Sequence, residues 1–339
     1  MKRHFRYVFL LVCLVCLAVS AQAQQEKISH VIIISVDGLR SDAITALGPR
    51  WAPALYDMIK TGAYTLNART DPDRTVTMPN HLCMFTGRGV LGGQGHEYTD
   101  NSSDNLSIHK IKGSYVASIF DVAHDHGLTT AFFASKKKFQ VFLNSYGTNL
   151  DNGQKSKIDI QYITEKDERV YREVMKMFKT GLAQLTLIHF SDTDKAGHRR
   201  GWSLKRNSSY LSALAKTDRY IASILKKIRQ DPRLAQSTVV IVTSDHGGSE
   251  LNHQDNTKME HYRIPLIIWG KGIASGMDLY KMNEGIRQNP LDKQVPYDDK
   301  FQPIRNGDVA NAAMALLGLP CVPGSTIGNP DSIRVKNSP

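Results

Sequence analysis

The sequence predicts an α/β fold: an open, mostly parallel sheet with helices on both faces, in a single domain. Two observations favour this class. Apolar, β-branched runs of strand length recur along the chain, and helical patterns lie between them. The 339 residues suffice for one large domain with a substantial core, and no repeat or Pro-rich linker divides the sequence.

Five apolar runs are predicted as strands. Each has six or seven residues and is nearly continuous, as expected for strands that are buried on both faces of a parallel sheet. The runs are His30–Val36, Thr129–Ala134, Leu185–Phe190, Thr238–Thr243 and Ile264–Trp269.

Helices are predicted over Val116–His126, Asn207–Gln230 and Asp308–Leu316. The second is the clearest, because apolar residues including Leu211, Leu214 and Ile221 recur on one helical stripe. Two polar segments, 92–112 and 135–168, interrupt the alternation of strands and helices. We expect them to be loops or insertions over the sheet edge that line the substrate rim.

Residues 1–23 have the pattern of a secretory signal. A basic start with Lys2, Arg3 and Arg6 precedes an apolar stretch and the small-x-small sequence Ala21-Gln22-Ala23. The apolar stretch is short for a membrane span, although an uncleaved anchor is an alternative. We expect a periplasmic or secreted protein whose catalytic domain covers residues 24–339, with no stable membrane span after cleavage.

The formal charge of +11 falls to +8 when the three charges of the signal are removed. These charges are spread thinly, so we expect a solvated basic face and no specific nucleic-acid binding. Only Cys83 and Cys321 remain in the mature chain. One pair does not make a disulfide framework, and Cys83 in an apolar run is expected to be a small buried residue. The oligomeric state is left open.

Asp and His residues follow three of the predicted strands. Ligands bind beyond the carboxyl ends of strands in open α/β sheets, and Asp and His are ligands that suit zinc. The residues are Asp37, Asp194, His198, Asp245 and His246, and either His253 or His261 would complete the set.

Each of these residues also has a structural interpretation. Asp37 would cap a helix after its strand. The four-residue spacing of Asp194 and His198 puts both on one helical face, but Asp192 competes for the same role. Asp245 and His246 give the sharpest local signal, since a buried strand has few structural reasons to end in charge.

Thr77 is predicted at or near a helix N-terminus, because Pro79 fits the first turn of a helix. Free backbone N–H groups there favour an anion, although Thr77 would also serve as a plain helix cap. Asn80, one turn on, would donate its amide to a phosphoryl oxygen.

Taken together, these motifs resemble the alkaline phosphatase superfamily, and more closely its type I phosphodiesterase/nucleotide pyrophosphatase branch. The resemblance covers nearly the whole mature chain except its loops. The motifs are Val36-Asp37-Gly38, Thr77-Met78-Pro79-Asn80-His81, Asp194-x-x-Gly-His198, Ser244-Asp245-His246-Gly247, Ile264-Pro265-Leu266-Ile267-Ile268-Trp269-Gly270 and Leu316-Leu317-Gly318-Leu319-Pro320.

The resemblance implies two zinc ions and a threonine nucleophile. One ion would be held by Asp194, His198 and the late histidine, for which the spacing in relatives favours His253 over His261. The other would be held by Asp37, Asp245 and His246, with Thr77 as an exchangeable ligand. Arg199-Arg200-Gly201-Trp202 departs from the usual pattern, which we expect to affect the substrate rim.

The expected activity is phosphoester hydrolysis through a phosphothreonine intermediate. Diester or pyrophosphate cleavage is favoured by the setting of Thr77 and by the lack of an obvious extra cation for a terminal phosphate, although Arg74, Lys136 or Arg199 would serve. Phosphomonoesterase or phosphonate hydrolase activity is one alternative, and a catalytically silent binding homologue is another. A sulfatase is not favoured, since no Cys/Ser-x-Pro-x-Arg element occurs at the nucleophile.

The expected partner is a small phosphoester or nucleotide. Residues 135–168 include Phe139, Phe142 and Tyr146 beside three consecutive lysines that begin at Lys136. Phe139 would stack on a base while Lys136 meets a phosphate. The alternative is that the aromatic residues only anchor the segment to the domain.

Overall fold

The computed structural model describes residues 27–102, 106–148 and 155–336, so the predicted signal over residues 1–23 lies outside the described residues. Within these ranges the strands form one eight-stranded sheet in the order β4-β3-β5-β1-β6-β7-β2-β8. The strands are β1 His30–Val36, β2 Ala63–Arg69, β3 Thr130–Ala134, β4 Ile160–Ile163, β5 Leu185–Phe190, β6 Thr238–Thr243, β7 Arg263–Gly270 and β8 Met277–Asp278.

The helices surround this sheet, and a single 3-10 turn covers Lys137–Phe139. No helix in the described ranges has the length and apolar character to cross a membrane. The helices are α1 Ser41–Leu47, α2 Pro53–Thr61, α3 Thr77–Thr86, α4 Ile108–Lys112, α5 Ile119–Asp125, α6 Gln140–Tyr146, α7 Asp167–Thr180, α8 Asp192–Arg200, α9 Ser209–Gln230, α10 Pro232–Ala235, α11 Met259–Tyr262, α12 Leu279–Met282 and α13 Asp308–Leu317.

The predicted open and mostly parallel α/β sheet is confirmed. β4, β3, β5, β1 and β6 run parallel, with β1 at the centre. All five predicted strands form within one residue of their predicted bounds, but β7 runs antiparallel to both β6 and β2. Only the four-residue α11 lies between β6 and β7, and antiparallel neighbours need no long crossover.

Three strands were not anticipated. β2 alternates buried and half-buried residues, so it has no continuous apolar run, and β8 has only two residues. β4 lies inside the segment 135–168 and pairs parallel with β3 as the edge of the sheet. That segment is therefore not a loop laid over the edge: it contains the 3-10 turn, α6, β4 and the start of α7.

The core has one apolar cluster on each face of the sheet. In β1, Val31 and Ile33 point to the face covered by α3, α5, α6 and α13, while Ile32 and Ile34 point to the face covered by α1, α2, α7 and α9. The predicted apolar stripe of α9 is buried in the second cluster. The two free thiols, Cys83 and Cys321, are not paired, and Cys83 is fully buried as expected.

Candidate metal centre

The predicted metal ligands lie at one edge of the sheet. β5, β1 and β6 are adjacent and parallel, so their carboxyl ends meet there. His253 reaches the same place from the loop between β6 and α11. The remaining ligands are Asp37 after β1, Asp194 and His198 on α8 after β5, and Asp245 and His246 after β6.

The side chains form two groups, and within each group the ligand atoms lie within 4.8 Å of one another. The division is the one that the family resemblance implies. Five of the six side chains are buried, whereas His198 leaves 43% of its side chain exposed and is the ligand on the solvent side. One group is Asp37, Asp245 and His246, and the other is Asp194, His198 and His253.

Backbone carbonyls fix the orientation of all three imidazoles. The Nδ1 atom of His246 lies 2.7 Å from the carbonyl oxygen of Gly247. The Nδ1 atom of His253 lies 2.6 Å from that of Thr75, and the Nδ1 atom of His198 lies 3.0 Å from that of Leu251. A carbonyl only accepts, so each Nδ1 donates its proton, and in the neutral ring each Nε2 presents a lone pair. This is the arrangement that histidine ligands of metals adopt.

Each aspartate has one oxygen without a hydrogen-bond partner in the described part of the chain. These buried atoms are Oδ1 of Asp37, Oδ1 of Asp194 and Oδ2 of Asp245. His246 Nε2 lies 3.5 Å from Asp37 Oδ1 and 3.3 Å from Asp245 Oδ2. His198 Nε2 lies 3.3 Å from Asp194 Oδ1. Because lone pairs facing one another repel, this geometry fits cations, and a set of carboxylate oxygens and imidazole nitrogens suits zinc and similar ions.

The Lys136 ammonium lies between the two groups. Its Nζ is 2.6 Å from Asp37 Oδ2, 2.7 Å from Asp194 Oδ2 and 3.4 Å from Thr77 Oγ1. Lys136 contacts the Oδ2 atoms of Asp37 and Asp194, whereas their Oδ1 atoms are the ones that have no hydrogen-bond partner. The ammonium therefore leaves the Oδ1 atoms free to bind metal. Burial alone would lower the pKa of Lys136, but Asp37 and Asp194 raise it above its usual value and keep the ammonium protonated.

The positive charge of Lys136 does not bring the pKa of all three carboxyl groups below its usual value. Burial opposes ionisation of Asp37, yet Lys136 and a hydrogen bond from His189 hold its pKa well below its usual range. Burial and Asp37 oppose ionisation of Asp194, but Lys136 and other neighbours lower its pKa as well. Burial and the charge of Asp37 raise the pKa of Asp245 well above its usual value. The ammonium is thus paired with Asp37 and Asp194, and a bound cation would lower the pKa of Asp245.

A second layer of buried polar groups supports the centre. His189 Nε2 donates to Asp37 Oδ2 at 2.8 Å, and His81 bonds to Ser35 Oγ at 2.8 Å and to the Thr77 carbonyl at 2.7 Å. Burial lowers the pKa of His81 to about 3, so it acts as a neutral ring. His189 and Ser35 were not predicted as site residues, although a polar residue inside an apolar strand run was an available signal.

Thr77 is the first residue of α3, as predicted. Its Oγ1 lies 3.4 Å from His246 Nε2, so the hydroxyl faces the ligand group of Asp37, Asp245 and His246. The Met78 N–H donates to Asn101 Oδ1 at 3.1 Å, which places the Asn101 amide beside the nucleophile position. Asn101 was also missed, because it lies in the polar segment 92–112 with no motif around it.

The role predicted for Asn80 is not supported. Its amide nitrogen donates to the carbonyls of Arg74 and Val76 at 2.7 and 3.1 Å, and its oxygen accepts from the Asp71 N–H and from Asn306. Asn80 is fully buried, and both amide hydrogens are used within the protein. It therefore shapes the loop that precedes Thr77 and has no donor left for a phosphoryl oxygen.

Gly38 and Trp202 shape the floor of the centre. Gly38 has φ +70°, and a Cβ there would lie 3.1 Å from the Trp202 ring and 3.2 Å from Asp194. The Trp202 ring is buried edge-on beneath His198 and His253, with centroids 5.0 and 5.9 Å apart. The segment Arg199–Trp202 was expected to affect the rim, but its tryptophan supports the ligands.

The aromatic residues predicted at the rim are buried. Phe139, Phe142 and Tyr146 expose no surface, and the Phe139 ring packs 4.8 Å from His81 and 4.4 Å from His189. The prediction that Phe139 stacks on a base is therefore wrong, because α6 and the preceding 3-10 turn fold into the core. The aromatic residues anchor this segment to the domain.

The other sequence candidates make their hydrogen bonds with groups other than the ligands. The Arg74 guanidinium donates to the Asp73 carbonyl at 2.9 Å, and Arg199 Nε donates to the Lys195 carbonyl at 3.0 Å. His261 bonds to Ser249 Oγ at 2.8 Å and accepts from the Asp255 N–H at 3.1 Å, so both of its ring nitrogens are used. The structure thus brings His253, and not His261, to Asp194 and His198.

The chain is similar in sequence to enzymes of phosphoester chemistry. The profile of the family described as type I phosphodiesterase / nucleotide pyrophosphatase matches residues 31–91 and 94–299. Ectonucleotide pyrophosphatase/phosphodiesterase family member 7 of Rattus norvegicus is 23% identical over 278 residues, covering 75% of this chain and 58% of that protein. The GPI ethanolamine phosphate transferase 2 catalytic subunit of Homo sapiens is 23% identical over 304 residues, covering 89% of this chain. The chain spans 27% of the transferase.

Solved structures share the fold. An inactive variant of murine ectonucleotide pyrophosphatase/phosphodiesterase 5, in complex with AMP, superposes with a TM-score of 0.60 at 12% sequence identity. The match covers 87% of this chain and 96% of that one.

We expect His253→Gln to lower the bound metal from about two ions per chain towards one, because only one ligand group includes His253. The matched control is His261→Gln, which should keep both ions. Elemental analysis of the purified proteins measures the difference. Metal loss in the His261 variant with full occupancy in the His253 variant would reverse the assignment.

We expect Gly197→Ala to weaken the group of Asp194, His198 and His253. The added Cβ would lie 2.2 Å from the buried Trp202 ring, so overpacking should cost about 2 kcal/mol of unfolding free energy. Gly93→Ala is the control, since nothing lies within 4 Å of its Cβ position. Denaturation and metal analysis should separate the two variants, and equal stability would contradict the supporting role of Trp202.

Proposed function

Because this chain belongs to the type I phosphodiesterase/nucleotide pyrophosphatase family, we propose that it is a two-zinc phosphoester hydrolase that works through a phosphothreonine intermediate on Thr77. The observation that carries the proposal is that two Asp/His groups lie side by side and that His246, in one of them, lies 3.4 Å from the hydroxyl at the start of α3. Family membership alone would not exclude a catalytically silent homologue. The complete set of aligned imidazoles and carboxylate oxygens argues against one.

Asp37, Asp245 and His246 would hold one zinc ion, and Asp194, His198 and His253 the other. Bound there, the ions would supply Lewis-acid charge beside the Thr77 hydroxyl and the transferring phosphoryl group. The buried carboxylates of the three aspartates favour the binding of cations at this site.

Thr77 Oγ would attack phosphorus in line, lose its proton to solvent and form the phosphothreonine bond as the bond to the leaving oxygen breaks. Water would then hydrolyse this bond and release the phosphoryl group. In the first turn of α3, Pro79 has no N–H and the Asn80 N–H bonds to the Val76 carbonyl, so the Thr77 N–H would be the backbone donor to the phosphoryl group. Asn101 accepts the Met78 N–H and so holds the rim of this turn in place.

Two features of the sequence favoured diesters, and the structure contradicts one of them. The Thr-x-Pro-Asn-His setting still favours the family activity on diesters and pyrophosphates. The supposed lack of an extra cation does not hold, because Lys136 lies at the centre. We therefore propose phosphoester hydrolysis without restriction to diesters. The AMP complex of the murine neighbour supports a small nucleotide ester as one substrate.

We further propose that the enzyme is exported to the periplasm or secreted. The support is the charged, apolar and small-residue pattern of residues 1–23. N-terminal sequencing of the protein recovered from the extracytoplasmic fraction tests this: a chain that begins near Gln24 is expected, and an intact Met1 in the cytoplasm would contradict it.

We expect Thr77→Ala to abolish turnover of nitrophenyl and nucleotide esters while metal content and unfolding temperature stay near wild type. Thr77 supplies the attacking oxygen but is only an exchangeable ligand. Thr77→Ser, which keeps a hydroxyl, is the matched control and should retain measurable turnover. If Thr77→Ala kept more than about a tenth of the wild-type rate, a loss of only about 1.4 kcal/mol, the nucleophile would lie elsewhere.

The phosphothreonine intermediate on Thr77 can be detected directly. Rapid quenching of the wild-type reaction and mass analysis of the peptide that contains Thr77 should show a phosphoryl adduct. Absence of an adduct during turnover would favour direct attack by water, and absence of turnover on every ester together with absence of metal would favour the silent homologue.

A further inference from the structure

The helix that carries two of the candidate metal ligands is not capped by its own sequence. α8 begins at Asp192, and the side chain of Ser191, the residue before it, makes no hydrogen bond to the first turn. The Ser191 Oγ instead lies 3.0 Å from the carbonyl oxygen of Ser135, at the end of β3. The free backbone N–H groups at the start of α8 therefore need an acceptor from another element.

Asp167, the first residue of α7, supplies this acceptor. Its Oδ1 accepts the Ser191 N–H at 2.8 Å, and its Oδ2 accepts the Asp192 N–H at 2.9 Å. The side chain lies in the interior, since only 1% of the residue is exposed. A carboxylate at a helix start is favourable because it meets free N–H groups and the positive end of the helix dipole. Both oxygens of Asp167 are thus committed to the start of α8.

The position of this helix start determines the geometry of one ligand group. Asp194 is the third residue of α8 and His198 is the seventh, whereas His253, the third ligand, comes from the loop after β6. We call these three residues the α8 group. A second contact fixes the same turn, because the Thr193 hydroxyl donates to the Asp37 carbonyl at 2.5 Å. A shift of α8 would move two ligands of the α8 group and leave the third in place.

We propose that Asp167 is a positioning residue for the metal ion of the α8 group, because it fixes the first turn of α8 where the ligands on the helix meet the ligand from the loop. This inference rests on the proposed function, since it assumes that the α8 group holds an ion. The ligands of the other group follow β1 and β6 and not α8. The loss of Asp167 should therefore weaken one ion and spare the other.

A second buried carboxylate in the protein makes the same kind of contact without a ligand beyond it. Asp218 of α9 is fully buried, and its two oxygens accept the N–H groups of Ala54 and Leu55 at 3.1 and 2.9 Å, in the first turn of α2. Among the described residues, no ligand of either group lies on α2. Loss of either carboxylate should destabilise a helix start, but only the loss of Asp167 should affect a metal ion.

The test compares Asp167→Asn with Asp218→Asn in zinc-loaded full-length protein. Each change keeps the shape of the side chain and turns an amide N–H2 towards one backbone N–H, so one of the two hydrogen bonds is lost. The proteins are dialysed against buffers of graded free zinc, and the bound zinc is measured by elemental analysis. We expect one ion of the Asp167 variant to bind about 10-fold more weakly than in wild type, and the other to be unchanged. The Asp218 variant should hold both ions as wild type does.

A double variant identifies the weakened ion. His253→Gln already lacks a ligand of the α8 group, so adding Asp167→Asn to it should not weaken the ion that remains. Turnover gives a further readout: the Asp167 variant should lose activity at limiting zinc and recover most of the wild-type kcat in excess zinc, because its ligands are intact. Unfolding temperatures are measured for every variant. If Asp167→Asn does not fold, Asp167→Ser, whose smaller side chain admits water to the N–H groups, takes its place.

Wild-type zinc affinity in a folded Asp167 variant, or equal zinc loss in the Asp167 and Asp218 variants, would overturn the positioning role. Loss of both ions from the Asp167 variant would overturn the assignment to the α8 group. The proposed function would survive these results, provided that Thr77→Ala still abolishes turnover. If instead wild-type protein holds fewer than two ions, or hydrolyses no ester when it holds two, the proposed function itself fails.

Discussion

Three aspartate side chains meet in a buried space where β1, β5 and β6 end, and the compensation of their charge governs the rest of the site. Asp37 and Asp194 share the Lys136 ammonium, which keeps their pKa values low, while the pKa of Asp245 is raised by burial and by its neighbours. Carboxylates in low dielectric are costly unless they are paired or coordinate a metal. The arrangement is therefore one that metal ions would stabilise.

The scaffold holds these charges in a fixed geometry through its backbone. Three backbone carbonyls, two from the loop after β6 and one from the loop before α3, orient His198, His246 and His253, so the three Nε2 atoms face the carboxylates. Glycines allow this closeness: a Cβ on Gly197 or Gly248 would meet the Trp202 ring at 2.2 or 2.4 Å. The centre is thus built on strand ends and packed rings, with His253 supplied by a loop that a backbone hydrogen bond fixes, which favours the precision that catalysis needs.

Most of the metal-ligand candidates and the position of Thr77 were predictable from the sequence, because short local segments of the chain indicate them. A buried strand that ends in Asp37 or in Asp245 and His246 identifies a site at the carboxyl edge, and Pro79 fixes the start of α3 near Thr77. The errors concern side chains whose role depends on distant partners. Asn80 looked available one turn after Thr77, but Arg74, Val76, Asp71 and Asn306 use its amide. Phe139 sits in a polar segment, yet it packs on His81 and His189.

The sequence by itself determined the α/β class, the strand positions and the identity of the Asp and His set, since strand length, apolar composition and strand-end residues are properties of short segments. The tertiary structure decided the direction of β7, the choice of His253 over His261 and the position of Lys136. Lys136 follows β3, and it reaches Asp37 and Asp194 because β3 lies beside β5, which in turn pairs with β1. Sheet order sets such contacts between residues 58 or more positions apart in the chain, and no local pattern encodes it.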